Sequence, residues 1–163
     1  MAITQALPKT TLSPLGLLAY LEDYVRELAD CLPRADRSAS ERSYDLLELS
    51  ADLEVWAIHW PQGQRLELHD HGGSTGALVV VEGELDEHAV GLDGRLFRQH
   101  IAVGHGTAFG PDYVHDVVNP SAAPATSIHA YAPPMSSMTF YRTVGTSLVA
   151  DRSEYRADPG WAP

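Results

Sequence analysis

"HDHGGSTGALVVVEGEL" runs from His69 to Leu85. Two imidazoles flank Asp70, a glycine-rich turn follows, and a strongly β-forming run ends at Gly83. In an extended chain, residues i and i+2 project to the same side, so His69 and His71 face together and Asp70 faces away. Two imidazoles on one inward face can ligate a single first-row metal ion. A His-x-His pair by itself is more often ordinary surface or core, so its meaning depends on the surrounding pattern.

That pattern is a series of short strands. Candidates lie near 45–49, 53–60, 65–69, 76–82, 84–90, 95–101, 107–109, 113–118, 125–132 and 137–143. Pro-Gln-Gly, Gly-Gly, Glu-Gly, Asp-Gly, Gly-His-Gly and Asn-Pro separate them, all of which are turn signals. Short strands at this spacing predict a mainly β fold, an antiparallel sandwich or barrel of the jelly-roll type. Before it, Ser13-Pro14 caps a predicted N-terminal α-helix. Leu17, Leu21, Val25 (or Tyr24) and Leu28 form its apolar stripe, and Pro33 ends it. "RADRSASERS" reads as loop, and the chain after Arg152 as irregular. The expected organisation is a helical segment over 1–43, a barrel over 44–150 and a tail over 151–163.

The 163 residues suit one domain with a hydrophobic core, and 44% apolar with 20% charged residues is an ordinary globular composition. A net charge of −11 argues against nucleic acid or an anionic membrane as partner, because both need a basic footprint. No apolar run approaches the roughly 20 residues of a membrane helix. The first 25 residues lack the basic start and clean apolar stretch of a signal peptide. The single cysteine, Cys31, permits no internal disulfide and fits a reducing cytoplasm. The sequence leaves monomer and homodimer both open.

Downstream, "GHGTAFGPDYVHDVVNPS" places His115 four residues before Asn119. Together the two stretches resemble the paired motifs of the cupin superfamily. Gly63, His69, His71, Gly76 and Gly83 stand at the spacings of the first motif, and Gly104, His115 and Asn119 match the second. Gly110-Pro111-Asp112 departs from the Pro-x-Gly usual there. The resemblance implies a cupin β-barrel with His69, His71 and His115 as metal ligands. Many cupins carry a glutamate ligand where this chain has Gly76. Three neutral ligands leave the charge of a dication uncompensated and coordination positions open. Such a site favours an anionic chelating substrate, such as a thiolate with a neighbouring amine.

"SIHAYAPPMSSMTFY" adds a second resemblance, to the cysteine dioxygenase family of thiol dioxygenases. Ser127, His129, Tyr131, Pro133 and Pro134 match that family's Ser-x-His-x-Tyr-x-Pro-Pro signature, and "HDHGG" looks like its bacterial members. The resemblance implies a mononuclear non-haem Fe(II) oxidoreductase. It would oxidise the sulfur of L-cysteine, or a similar small thiol, to a sulfinate, with O2 as co-substrate. It also implies a polar chain from Ser127 through His129 to Tyr131, with the tyrosine hydroxyl nearest the substrate. Alternation permits this, since 127, 129 and 131 share one face of a strand. Three histidines also suit Ni, Co, Zn or Cu. A cupin oxygenase with a different product and a non-catalytic metal-binding cupin are the alternative readings.

Cysteine-specific members carry an arginine on an early strand for the substrate carboxylate, a task suited to a bidentate guanidinium. Counting back from Trp60, that position falls near Tyr44 or Asp45, and Arg42 lies on the same strand face as Tyr44. Arg42 is therefore the first candidate for substrate binding, with Tyr44 and His59 as cavity residues. Arg65, Arg98 and Arg142 are further candidates. His88, His100 and His105 read as peripheral. Trp56, Trp60, Phe109 and Tyr113 read as core or cavity wall, and Met135, Met138 and Phe140 as one end of the pocket or plain packing.

Overall fold

The structure is a computed structural model. It describes residues 12–163 apart from 35, 92–93, 146, 159–160 and 162. Residues 1–11 of the expected helical segment, much of the stretch read for a signal peptide, Asp93 of the Asp-Gly turn, and part of the expected tail lie outside the described residues.

One helix, α1 (Pro14–Glu27), precedes eleven strands among the described residues. These are β1 (Ser43–Leu49), β2 (Glu54–Trp60), β3 (Arg65–His69), β4 (Thr75–Glu82), β5 (Glu84–Val90), β6 (Leu96–Ala102), β7 (Gly106–Phe109), β8 (His115–Val118), β9 (Ala125–Ala132), β10 (Ser137–Val144) and β11 (Ser147–Tyr155). They pair antiparallel in two sheets, ordered β1-β2-β9-β4-β7 and β11-β10-β3-β8-β5-β6. The fold is mainly β, two antiparallel sheets packed face to face, as the turn spacing predicts, and it matches the barrel that the cupin resemblance implies. No helix among the described residues is long and apolar enough to cross a membrane.

The helix begins where expected. Ser13 is its N-cap, its Oγ accepting from the Gly16 backbone N–H at 3.2 Å, and Pro14 follows. Leu17, Leu21 and Tyr24 are its buried stripe, whereas Val25 is only partly covered. That stripe packs on Val55, Ala57, Val79, Ile128 and Ala130, the outer face of the five-stranded sheet. The inner face of the same strands presents Trp56, Ile58, Trp60, Leu78, Val80 and Tyr131 to the space between the sheets. With both faces covered, β2 and β9 are buried along their whole lengths. Burying a large aliphatic side chain contributes about 1.5–3 kcal/mol, so this double coverage makes β2 and β9 the stable floor of the site.

The expectation of an irregular tail is corrected. β11 runs from Ser147 to Tyr155 and pairs with β10 from Ser137↔Tyr155 to Val144↔Ser147, so strand structure continues across the 150/151 boundary. β11 is the edge of its sheet and is mostly exposed. An edge strand with both faces near water needs no hydrophobic alternation, so its sequence lacks the usual signal.

Candidate metal centre

His69 is the last residue of β3 and stands directly opposite His115, the first residue of β8. His71 lies two residues beyond the end of β3, in the turn, and still joins them. The three rings are 0–2% exposed, and their ligand nitrogens lie within 4.8 Å of one another. The turn is held by Asp70, which faces away from the cluster. Its carboxylate accepts from the backbone N–H groups of Gly72 and Thr139 and from the Tyr141 hydroxyl. Gly72 is required here: its φ is +59°, and a Cβ would lie 2.5 Å from the Ser137 carbonyl oxygen.

Hydrogen bonds set the ring orientations. His69 donates from Nδ1 to the Glu67 carbonyl at 2.7 Å. His115 donates from Nδ1 to Glu87 Oε1 at 2.6 Å. Both therefore turn Nε2 inward as a lone-pair donor, the usual arrangement of a ligating imidazole. His71 Nε2 faces His115 Nε2 at 3.2 Å, and His71 Nδ1 is buried without a hydrogen-bond partner. Burial, and then the neighbouring histidines, push His69 and His71 well below the usual imidazole range. The rings are thus neutral at physiological pH. Buried, facing, neutral nitrogens with an orphaned ring atom fit a divalent first-row metal ion.

The space at Gly76 is filled by a neighbouring side chain. A Cβ there would overlap the Phe109 ring. Phe109 fills that volume, stacking on His71 with centroids 4.5 Å apart and on Tyr113 at 5.1 Å. Gly76 thus withholds a carboxylate, as expected, but the room it leaves belongs to Phe109 and not to a substrate.

Across the barrel, the Ser127, His129 and Tyr131 side chains are connected as the family resemblance implies and their alternation permits. Trp60 Nε1 donates to Ser127 Oγ at 2.8 Å, Ser127 Oγ lies 2.8 Å from His129 Nε2, and His129 Nδ1 lies 3.1 Å from the Tyr131 hydroxyl. Burial holds His129 neutral, with a pKa of about 3. An indole can only donate, so Ser127 accepts there and gives its own proton to His129 Nε2. His129 then donates from Nδ1 to Tyr131, whose own proton remains free to donate. The Tyr131 ring stacks near His71, with centroids 5.3 Å apart, so the chain ends beside the histidines. Burial also raises the Tyr131 pKa, keeping the phenol protonated.

Arg42 and Tyr44 face the same interior. Tyr44 is opposite Ile58, an inward residue of β2, and the Arg42 guanidinium lies 5.3 Å from the Tyr44 ring and 5.2 Å from the Trp60 ring. Arg42 Nη1 is buried with no hydrogen-bond partner. A cavity of about 380 Å³ is lined by Arg42, Tyr44, Leu66 and Phe140, together with Arg65, Glu67, Arg152 and Glu154. Phe140, in its wall, packs against His69 with centroids 6.0 Å apart, and the Arg42 charge adds to the lowering that burial gives the His69 pKa.

His59 is a correction. It lies on the opposite phase of β2 from Trp60, and its ring nitrogens meet Thr126 Oγ1 at 3.2 Å and Asp45 Oδ2 at 3.0 Å. It faces outward and does not line the cavity. Arg65 lines the same cavity but is paired with Asp116, while Arg98 pairs with Asp86 and Arg142 with Asp151 away from it. His88 and His100 pair with Asp116 and Asp86 on the outer face of their sheet. The Asn119 amide donates to the carbonyls of Trp60 and Ala123 and fastens the loop after β8.

Sequence reasoning missed Glu87. The available signal was its phase: on β5, Leu85 and Ala89 point into the core, and the charged Glu87 stands between them on the same phase.

A sequence model of the cysteine dioxygenase type I family matches residues 38–143, more than half of the chain. Among solved structures, a conserved protein with a double-stranded β-helix domain from Klebsiella pneumoniae is 19% identical. It aligns over 72% of this chain and 90% of its own, with a TM-score of 0.53. The TT1209 protein of Thermus thermophilus is 22% identical over 61% of this chain and 90% of its own, with a TM-score of 0.54. A recombinant oxalate oxidase solved with glycolate is 16% identical over 66% of this chain and 59% of its own, with a TM-score of 0.54. At these identities the structural likenesses establish the fold alone.

Proposed function

The chain belongs to the cysteine dioxygenase type I family, and from that premise we propose that it is a mononuclear non-haem iron thiol dioxygenase oxidising L-cysteine, or a similar small thiol, to the sulfinate. One observation carries the reading beyond family membership. A buried guanidinium nitrogen without a partner, Arg42 Nη1, belongs to a cavity-lining residue whose charge reaches His69, one of three buried, clustered imidazoles. A carboxylate-bearing thiol can satisfy both halves of that arrangement at once.

His69, His71 and His115 would hold the ion, and Fe(II) held there would supply the redox chemistry through which O2 reacts with a thiolate. The remaining roles belong to the protein. Arg42, held between the Tyr44 and Trp60 rings, is positioned to take the substrate carboxylate; burial lowers its pKa, but an arginine stays charged. Tyr131, its oxygen already occupied by the His129 N–H, is left to donate its own proton toward the reacting substrate. A preorganised donor aimed at developing charge stabilises it without rearrangement. Phe109, Phe140 and Trp60 exclude water, which strengthens each of these interactions.

Oxygen uptake and sulfinate formation by the iron-loaded protein test the reading, with cysteine, cysteamine and 3-mercaptopropionate as substrates. Cysteine should be preferred over cysteamine by roughly a hundredfold or more, because cysteamine leaves the buried arginine unpaired. Arg42→Ala should erase that preference, mainly by weakening the use of cysteine. Absence of thiol-dependent oxygen uptake overturns the function. Equal rates for cysteine and cysteamine, unaltered in Arg42→Ala, overturn the role of Arg42.

A further inference from the structure

Glu87 is wholly buried on β5, with its carboxylate on the inner face of the barrel. Its backbone pairs with Val117, while Ala89 pairs with His115, so the side chain reaches along β8 to place Oε1 2.6 Å from His115 Nδ1. The same carboxylate lies near enough to Tyr113 to reinforce the upward shift that burial gives that hydroxyl. A buried carboxylate costs several kcal/mol of desolvation unless something compensates it. The Glu87 Oε1 meets the His115 ring, and its Oε2 is buried with no hydrogen-bond partner, so the compensation is incomplete. The three histidines, for their part, bring no negative charge to a dication.

We propose that Glu87 is a positioning residue of the metal centre, supplying through His115 the negative charge that Gly76 withholds from the ion. The two deficits answer each other. A cation at Nε2 draws electron density through the ring, and the carboxylate at Nδ1 returns it, which makes His115 a stronger donor. The charge of the site is reduced without a carboxylate occupying a coordination position. The direct route is closed by packing, because the volume beside Gly76 is filled by Phe109. The three ligands are therefore graded: His115 is backed by a carboxylate, His69 by a carbonyl, and His71 Nδ1 by no hydrogen-bond partner.

This inference rests on the three histidines holding a metal and not on the thiol chemistry. It is tested with Co(II) as probe in the full metal-free chain, wild type against Glu87→Gln. Glutamine keeps the size and an oxygen acceptor and removes the charge. Co(II) affinity, measured by competition with a chromophoric chelator, should fall roughly tenfold to a hundredfold. The visible absorption of bound Co(II) should shift, because His115 becomes a poorer donor. Thermal stability of the metal-free variant should equal or exceed that of wild type, so the loss cannot be a folding defect. If Glu87→Gln does not fold, Glu87→Asp, which withdraws the carboxylate by one methylene, must show the same loss. Wild-type affinity with an unchanged spectrum overturns the proposal. A wild-type chain that binds no Co(II) overturns it together with the metal reading, whereas one that binds Co(II) and oxidises no thiol removes the thiol assignment alone.

Discussion

The Tyr131 hydroxyl stands at the end of a hydrogen-bond chain whose direction is fixed at its other end by the Trp60 indole. Tyr131→Phe keeps the ring and its packing on His71 and deletes the donor. Fold and metal content should survive, and sulfinate formation should fall by roughly a hundredfold, the scale on which losing one preorganised donor acts. A variant turning over at the wild-type rate would make Tyr131 an ordinary core residue. The contact between Gly76 and Phe109 makes a separate prediction. A methyl at 76 meets the far edge of a ring that is itself stacked between His71 and Tyr113, so the ring cannot swing away freely. Gly76→Ala should destabilise by about 1–3 kcal/mol, the usual cost of overpacking. In a double-mutant cycle with Phe109→Leu the two losses should be less than additive. Strict additivity, measured by urea unfolding, would show that the two positions do not compete for one space.

Elements announced themselves in the sequence to the degree that burial shaped them. β3, β5 and β9 begin and end where turn residues and alternation place them, since each has at least one face on the core. Spacing made the pairing of His69 with His71 legible, and His115 joined them through the resemblance to the cupin motifs. β11 was not legible, because an exposed edge strand needs no alternation. Glu87 was not legible because a charged residue in a strand ordinarily marks the wet face, and its phase contradicts that rule only once β5 is placed. His59 misled for the converse reason: a histidine beside inward residues looks like a cavity residue, yet its odd phase puts it outside with Thr126 and Asp45. The segment after β11 is more than a loose end. Arg156 donates to Glu54, which is wholly buried at the start of β2, and to the Met135 carbonyl. Arg156→Ala strands that buried acceptor and should cost about 1–3 kcal/mol. Arg142→Ala breaks only the surface pair with Asp151 and should stay within about 0.5 kcal/mol. Equal losses in chemical unfolding would show that the segment does not anchor β2.

At the scale of the whole chain, the buried histidines set a pH limit on the fold. Burial is the leading cause that holds His69, His71 and His129 neutral, His129 with a pKa of about 3. In the unfolded chain these rings titrate near pH 6.5. Between those values the unfolded state binds more protons than the folded one, so the stability present above about pH 6.5 is lost as the pH falls. Each such ring contributes up to about 1.4 kcal/mol of loss per pH unit within that window. Metal-free protein should therefore unfold steeply with acid, and His129→Asn should lessen the slope by about one proton while leaving the three ligands in place. A bound ion acts in the opposite direction, because it binds the folded state through the same neutral nitrogens. At a free concentration about a hundredfold above its Kd it adds about 2.7 kcal/mol. The acid midpoint of metal-loaded protein should thus lie at lower pH, and a chelator should return it to the metal-free value. Tryptophan fluorescence follows the transition directly, since Trp56 and Trp60 are buried in the barrel. An acid midpoint that neither metal nor chelator moves would mean that the three histidines hold no ion and that their burial serves packing alone.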